Sequence, residues 1–255
     1  MKIKAKAKAK SVIWAVSLTA MFIIVLNMSY ATTPEGPTVS VLGNSTRNTG
    51  AGTKVNITGG VGQNTSGGYI FSINLDALQT NARWKAYYGN VTGVLTLDDA
   101  NAYTIYRWPV SAGGITGNVY ATRASSTPTW AGVACASVAQ IETENFALNH
   151  TNANDNITAT FNATNHSTFI VAGTSLNTCR YTATYKNDVA QAQNLAADFQ
   201  EIVIHDGTNV VYVTNIENDV TSYSGGPADF QILVPENGLA TWASSTAYYF
   251  YVELQ

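Results

Sequence analysis

The sequence predicts an all-β protein: an antiparallel β-sandwich or jelly-roll-like domain with one or two short helices, preceded by an N-terminal hydrophobic segment. Three observations predict it. Beyond Ala31 the chain holds 31 Thr; with the aromatic residues these suit the pleated surface of a sheet, and an Ala-Glu-Lys-Leu helical composition is missing. About ten short runs alternate apolar with polar residues, the period of a strand buried on one side. Gly, Asn, Asp and Pro separate those runs at intervals of about 10–20 residues, as in sandwiches and jelly rolls.

The chain begins highly charged and then loses its charge. Lys2, Lys4, Lys6, Lys8 and Lys10 alternate with Ile and Ala, and an apolar run follows from Ser11 to about Met28. Ser29-Tyr30-Ala31 supplies the small residues of a cleavage site, so residues 1–31 read as a secretory signal peptide cut after Ala31. The apolar run also nears the length of a membrane span, which leaves an uncleaved anchor as a second reading. A pilin-type leader, cut ahead of the apolar stretch, is the third. Each of the three exports the rest.

Residues 32–66 are rich in Gly, Thr, Asn and Pro and read as a loosely ordered arm, with short strands expected at most at 38–42 and 54–58. Residues 67–255 read as a single domain. Its first strand is 69–76, and 83–88 repeats the alternation with Trp84, Ala86 and Tyr88. Gly89-Asn90 forms a turn, 91–97 is a Thr-rich strand ending at Asp98-Asp99, and 103–108 is a strand stopped by Pro109. Gly113-Gly114 precedes a strand at 118–123. Residues 136–148 form the best helix, with Val138, Ile141, Asn145 and Leu148 at helical spacing. Strands are expected at 156–163, 168–172 and 180–185, and a helical turn or two at 189–197. The clearest hairpin joins two β-branched runs, 201–205 and 210–215, through Asp206-Gly207, a pair that tolerates φ > 0. A strand at 229–234 ends in the Pro235-Glu236-Asn237-Gly238 turn. The last strand, 247–254, is expected to put Tyr248, Phe250, Val252 and Leu254 on one face.

Several blocks of this domain resemble a recurrent group of exported, β-rich archaeal surface proteins. They are Trp84-Lys85-Ala86-Tyr87-Tyr88-Gly89-Asn90-Val91-Thr92-Gly93, Leu97-Asp98-Asp99-Ala100 and Ile105-Tyr106-Arg107-Trp108. Asn149-His150-Thr151-Asn152, Asp155-Asn156-Ile157-Thr158, Asp229-Phe230-Gln231 and Pro235-Glu236-Asn237-Gly238 belong with them, as does the run from Ala247 to Leu254. The likeness spans roughly residues 67–255. It implies an archaeal cell-surface or extracellular setting and no particular reaction. Arg107 departs from the pattern, since an acidic residue is expected there.

Composition narrows the function further. Beyond Ala31, eight Lys and Arg face sixteen Asp and Glu, so a basic nucleic-acid footprint is excluded. Cys135 and Cys179 are the only cysteines, and in an exported chain a lone pair reads as a disulfide. Closing a loop of that size contributes about 4 kcal/mol in the chain-entropy model. Beyond Ala31, eight N-x-[ST] sequons stand at Asn44, Asn56, Asn64, Asn90, Asn149, Asn156, Asn162 and Asn165. They are candidate glycosylation sites, each of which must face solvent if modified.

No motif for chemistry emerges. His150, His166 and His205 lack metal-ligand spacing; His150 and His166 lie in sequons, which suggests exposure, and His205 reads as a turn residue. No G-x-S-x-G, P-loop or G-x-G-x-x-G is present. Asp98 and Asp99 with Asp76 would suit glycoside hydrolysis only at a fixed carboxylate separation, and a hairpin turn is the simpler reading. Asp98, Asp99 and Asp155, with the Asn-rich stretch 152–156, are weak calcium candidates; no other cofactor is implied. Trp84, Trp108, Trp130 and Trp242 could furnish a sugar-stacking platform, against core packing as the alternative. The expectation is a non-enzymatic secreted or cell-surface structural protein, a surface-layer, sheath or filament subunit that self-associates or binds other surface proteins. Arm 32–66 would add a strand to a neighbour's sheet edge. The alternative is an adhesin or carbohydrate-binding module with glycans as partners, and the membrane is touched only through an uncleaved leader.

Overall fold

The computed structural model describes residues 33–39, 81, 83–110, 114–151, 154–237 and 245–255. The leader, most of the arm with Asn44, Asn56 and Asn64, the strands expected at 54–58 and 69–76 with Asp76, and Asn152 and Trp242 lie outside the described residues. The described chain is mostly β, built of antiparallel sheets with two helices.

In chain order the strands are β1 (Trp84–Gly89), β2 (Thr96–Asp98), β3 (Thr104–Arg107), β4 (Gly117–Thr122), β5 (Ala134–Cys135), β6 (Phe169–Val171) and β7 (Thr174–Leu176). They continue with β8 (Tyr181–Ala183), β9 (Gln200–His205), β10 (Val210–Asn215), β11 (Val220–Thr221), β12 (Pro227–Ala228), β13 (Phe230–Pro235) and β14 (Tyr249–Leu254). Helices α1 (Val138–Ala147) and α2 (Ile157–Thr160) lie between β5 and β6.

A six-stranded sheet organises the molecule, in the order β14-β4-β10-β9-β5 with β8 also paired to β9. Successive residues of its inner strands enter different cores, because side chains alternate across a strand. Tyr120, Val211, Val213, Ile202, Ile204 and Tyr251 pack with Trp130, Val133 and the β6–β7 hairpin on one face. Ala121, Val203, Val210 and Tyr212 pack on the other with Ile141, Ile157, Phe161 and β13 residues Ile232 and Val234. Burial on both faces explains why β9 and β10 read as continuous apolar runs. The sheet is stapled at its far side by the Cys135–Cys179 disulfide, with Cα atoms 4.7 Å apart.

Helix α1 forms where the spacing predicts it, and local chemistry sets its ends. Ser137 caps the N-terminus in a reciprocal capping box with Gln140. At the C-terminus Asn149 takes φ 55, with His150 N–H donating to Asn145 O at 2.8 Å and Asn149 N–H to Phe146 O at 3.2 Å. That is a Schellman closure with Asn in the place of Gly. Ile141, Asn145 and Leu148 are buried as expected, whereas Val138 is exposed.

Other expectations are corrected. The strand expected over 156–163 opens instead as α2, because Asn156 Oδ1 accepts the N–H of Ala159 at 2.7 Å and Asn145 Oδ1 takes that of Ile157 at 2.9 Å. Two side-chain caps override the β propensity of Ile and Thr. Residues 189–197 hold no helix; Gln191 donates to the carbonyls of Thr184 and Asp198, both at 2.7 Å, and accepts the Asp198 N–H, which folds the segment into a loop. The strand expected over 91–97 shrinks to β2, since Val91 N–H is drawn to Asp229 Oδ2 at 2.7 Å. No strand forms at 38 and 39. In β14 the more deeply buried side chains are Tyr251 and Glu253, on the face opposite to Phe250 and Val252.

Candidate functional site

The outer edge of the six-stranded sheet is the first candidate. There Val252 N–H donates to Glu35 O at 2.8 Å and Glu35 N–H donates to Val252 O at 2.9 Å, while Pro34 is buried beside them. The arm therefore adds to β14, from residues nearer the leader than the expected 38–42. From the sheet's interior, Glu253 holds β14 in place. Its buried carboxyl accepts the Tyr120 hydroxyl and the Ala172 N–H, the latter at 3.1 Å to each oxygen. Burial, and then the charge of Glu253, push the Tyr120 phenol far up. Asn118 extends the network by donating to Ile170 O at 2.6 Å and Tyr120 Oη at 3.2 Å.

The second candidate is the β2–β3 ribbon, which pairs with no other strand among the described residues. Leu97, Tyr103, Ile105, Tyr106 and Trp108 are exposed, Ile105 to 80%. Tyr106 and Trp108 meet edge to face, their ring centroids 5.0 Å apart. Asp99 closes the ribbon by accepting the N–H groups of Asn101 and Tyr103, both at 2.9 Å, and those bonds lower its carboxyl below the usual range. Asp98 accepts the Thr96 hydroxyl at 3.1 Å. Arg107 is exposed on β3.

Asp155 is not gathered to these two carboxylates through any bond: it pairs with Arg83 at 3.1 Å, and its carbonyl accepts Trp84 Nε1–H at 2.7 Å. No group of three or more His, Cys, Asp or Glu converges as a metal site among the described residues.

Among the described residues, Trp84, Trp108 and Trp130 are not gathered on one surface. Trp84 packs against His150 and Phe161, and Trp130 lies buried between Tyr120 and Tyr251. Trp108 alone of the described three is exposed. Of the sequon asparagines described, Asn90, Asn149, Asn162 and Asn165 are exposed, while Asn156 is half-buried as the α2 cap.

Two of the three histidines differ from expectation. His150 and His166 are buried, at 0% and 3% exposure, and burial lowers both imidazoles. His166 Nδ1 meets Ser167 O at 2.6 Å, and Nε2 accepts the Cys179 N–H at 2.9 Å, so the ring is held neutral beside the disulfide. His205 keeps its turn role, with Nδ1 accepting the Gly207 N–H at 3.0 Å.

Sequence reasoning missed one ionic cluster. Glu236, 5% exposed, pairs with Lys85 at 2.7 Å, accepts the Asn237 N–H at 2.9 Å and the Thr246 N–H at 3.0 Å, and takes the Thr246 hydroxyl. Burial works to raise its carboxyl, but these partners prevail and bring it down to about 2. Lys85 also lies 5.1 Å from the Tyr248 ring centroid. The signal in the sequence was faint: one of the chain's few lysines in a strand, opposite a turn Glu. A groove of about 320 Å³ between β4, α1 and the β9–β10 turn holds Arg123, whose guanidinium is engaged bidentately by Glu144 at 2.6 Å. That engagement removes it as a free anion receptor.

No family model, curated protein or solved structure matches the chain.

Proposed function

We propose that this chain is a non-enzymatic structural protein of the cell exterior, a subunit of a surface layer, sheath or filament that self-associates. The observation that carries the reading is the arm's strand-like seat on β14, because an open sheet edge completed by a tethered segment is a unit of assembly. The Cys135–Cys179 disulfide suits an oxidising exterior. The leader and the resemblance to exported archaeal proteins argue the same setting, and the exposed sequon asparagines suit glycosylation there. The β1–β13 ribbon stacked over the six-stranded sheet is read as the second layer of a sandwich.

Native material tests this. Electron microscopy is expected to find assemblies at the cell surface, and mass spectrometry an N-terminus at Thr32 with sugar on Asn90, Asn149, Asn162 or Asn165. Monomeric protein recovered inside cells with its leader intact and both thiols reduced would overturn it.

A second reading, a carbohydrate-binding module, is favoured by Tyr106 and Trp108 alone: two exposed aromatic faces on one ribbon. A glycan array decides it. Binding that a Tyr106→Ala, Trp108→Ala variant loses would support it, and silence across broad sugar panels would remove it.

A further inference from the structure

The segment at Glu35 meets the β14 edge through only two backbone hydrogen bonds. Glu35 and Val252 exchange both of their backbone hydrogen bonds, so they form a hydrogen-bonded antiparallel pair. Pro34, next to that pair in the chain, is buried. Because strand edges alternate, the N–H and C=O of Phe250 point to the same outer side as those of Val252. Among the described residues, the edge thus offers more pairing than the Glu35 bridge uses.

Residues 37–83 lie between this seat and β1, a length of chain whose contour at about 3.3 Å per residue is at most roughly 155 Å. The same two backbone bonds are available whether the arm comes from its own chain or from another. The difference in free energy is then a matter of tether entropy and concentration, the ordinary condition for exchange of an identical element between copies.

We propose that residues 34–36 of one copy seat on β14 of a second copy of this chain. The inference rests on the structural-subunit reading and names its partner and its site. Donor and acceptor are different surfaces, so the contact is heterologous and runs head to tail, closing as a ring or propagating as a filament.

Cysteine trapping tests it on the full exported chain. Partners in a hydrogen-bonded antiparallel pair have Cα atoms about 5.5 Å apart, within disulfide range. Mixing a Glu35→Cys variant with a Val252→Cys variant and oxidising is expected to give a cross-linked species of twice the chain mass, absent from either variant alone. A Glu35→Pro variant, which lacks the donor N–H at the bridge, is expected to lose assembly while its melting temperature stays within a few degrees. This second variant keeps the test alive if cysteine at position 252 disturbs folding. Should assemblies form while the cross-link appears only within an E35C/V252C double variant and never in the mixture, exchange is wrong and the subunit reading stands. Should the wild-type chain stay monomeric across concentration and salt, both fall.

Discussion

The β9–β10 hairpin and the β2–β3 ribbon are both antiparallel pairs closed by a turn that starts with Asp, yet they occupy opposite extremes of burial. Ile202, Val203, Ile204, Val211, Tyr212 and Val213 are wholly buried, one face in each core. Leu97, Tyr103, Ile105 and Tyr106 stand in solvent. Asp206 accepts the N–H groups of Thr208 and Asn209, much as Asp99 accepts those of Asn101 and Tyr103. Turn chemistry is thus similar in both, and it does not decide which hairpin becomes core. Neighbouring strands on both sides decide it: β9 and β10 are flanked by β5, β8 and β4, and the ribbon by none among the described residues. A two-stranded ribbon with no further strand beside it is marginal in water, so the ribbon draws little stability from its own apolar side chains.

The sharpest way to break the contrast is to cut the staple beside β9. Replacing Cys135 and Cys179 together by Ser is expected to cost about 4 kcal/mol, with thermal unfolding of wild type under reducing conditions moving the same way. Next comes a matched pair of truncations. Ile204→Ala should cost about 3 kcal/mol, because a filled core position becomes a cavity. Ile105→Ala, the same change at an exposed position, should stay within about 0.5 kcal/mol. Equal losses in denaturant titrations would show that the ribbon is packed in solution.

Acid–base behaviour sharpens the comparison, since the buried hairpin carries a carboxyl that the ribbon would keep wet. Glu201, wholly buried, accepts the Leu233 N–H at 2.8 Å through one oxygen, while its other oxygen has no partner among the described residues. Burial raises its carboxyl well above the ordinary value. Its contribution is therefore full below the unfolded value near 4.5 and falls as pH rises toward the raised folded value. Glu201→Gln is expected to raise stability at pH 7 and to change little at pH 3. Glu236 has the opposite sign: held at about 2, it stabilises above 4.5, and that contribution is lost as pH falls toward 2. His150 and His166, both lowered by burial, add a loss that begins as pH drops below 6.5. Melting temperatures of wild type and Glu201→Gln across pH 3–8 separate the contributions.

The smallest expected effect is at the β6–β7 turn. Ala172 and Gly173 both take positive φ, 44° and 80°, as a two-residue hairpin turn requires. Ala is a poor residue for that conformation and is held there by its N–H bonds to Glu253. Ala172→Gly should stabilise by up to about 1 kcal/mol, read as a small rise in melting temperature.

Legibility in the sequence followed how local the cause was. The β9–β10 hairpin, α1 and the disulfide were readable because a turn pair, the helical spacing of Ile141, Asn145 and Leu148, and a lone cysteine pair each act within the written order of residues. Helix α2 was not, since one of its two caps comes from Asn145 on another element. The buried histidines were hidden by their polar sequon neighbours, though only alternate residues there face solvent. Glu236 acquires its partners from β1 and from Thr246, far apart in the chain. The bridge at Glu35 rested on a single residue pair, below any periodic signal.

Gly117 carries a final consequence. It sits at the start of β4 with φ 142°, and a Cβ built on it would come within 1.8 Å of the Glu253 carbonyl oxygen. Even one methyl group there would prise β14 outward, displacing the rail on which the arm rides. The fit of the outermost strand thus hangs on the absence of a single side chain.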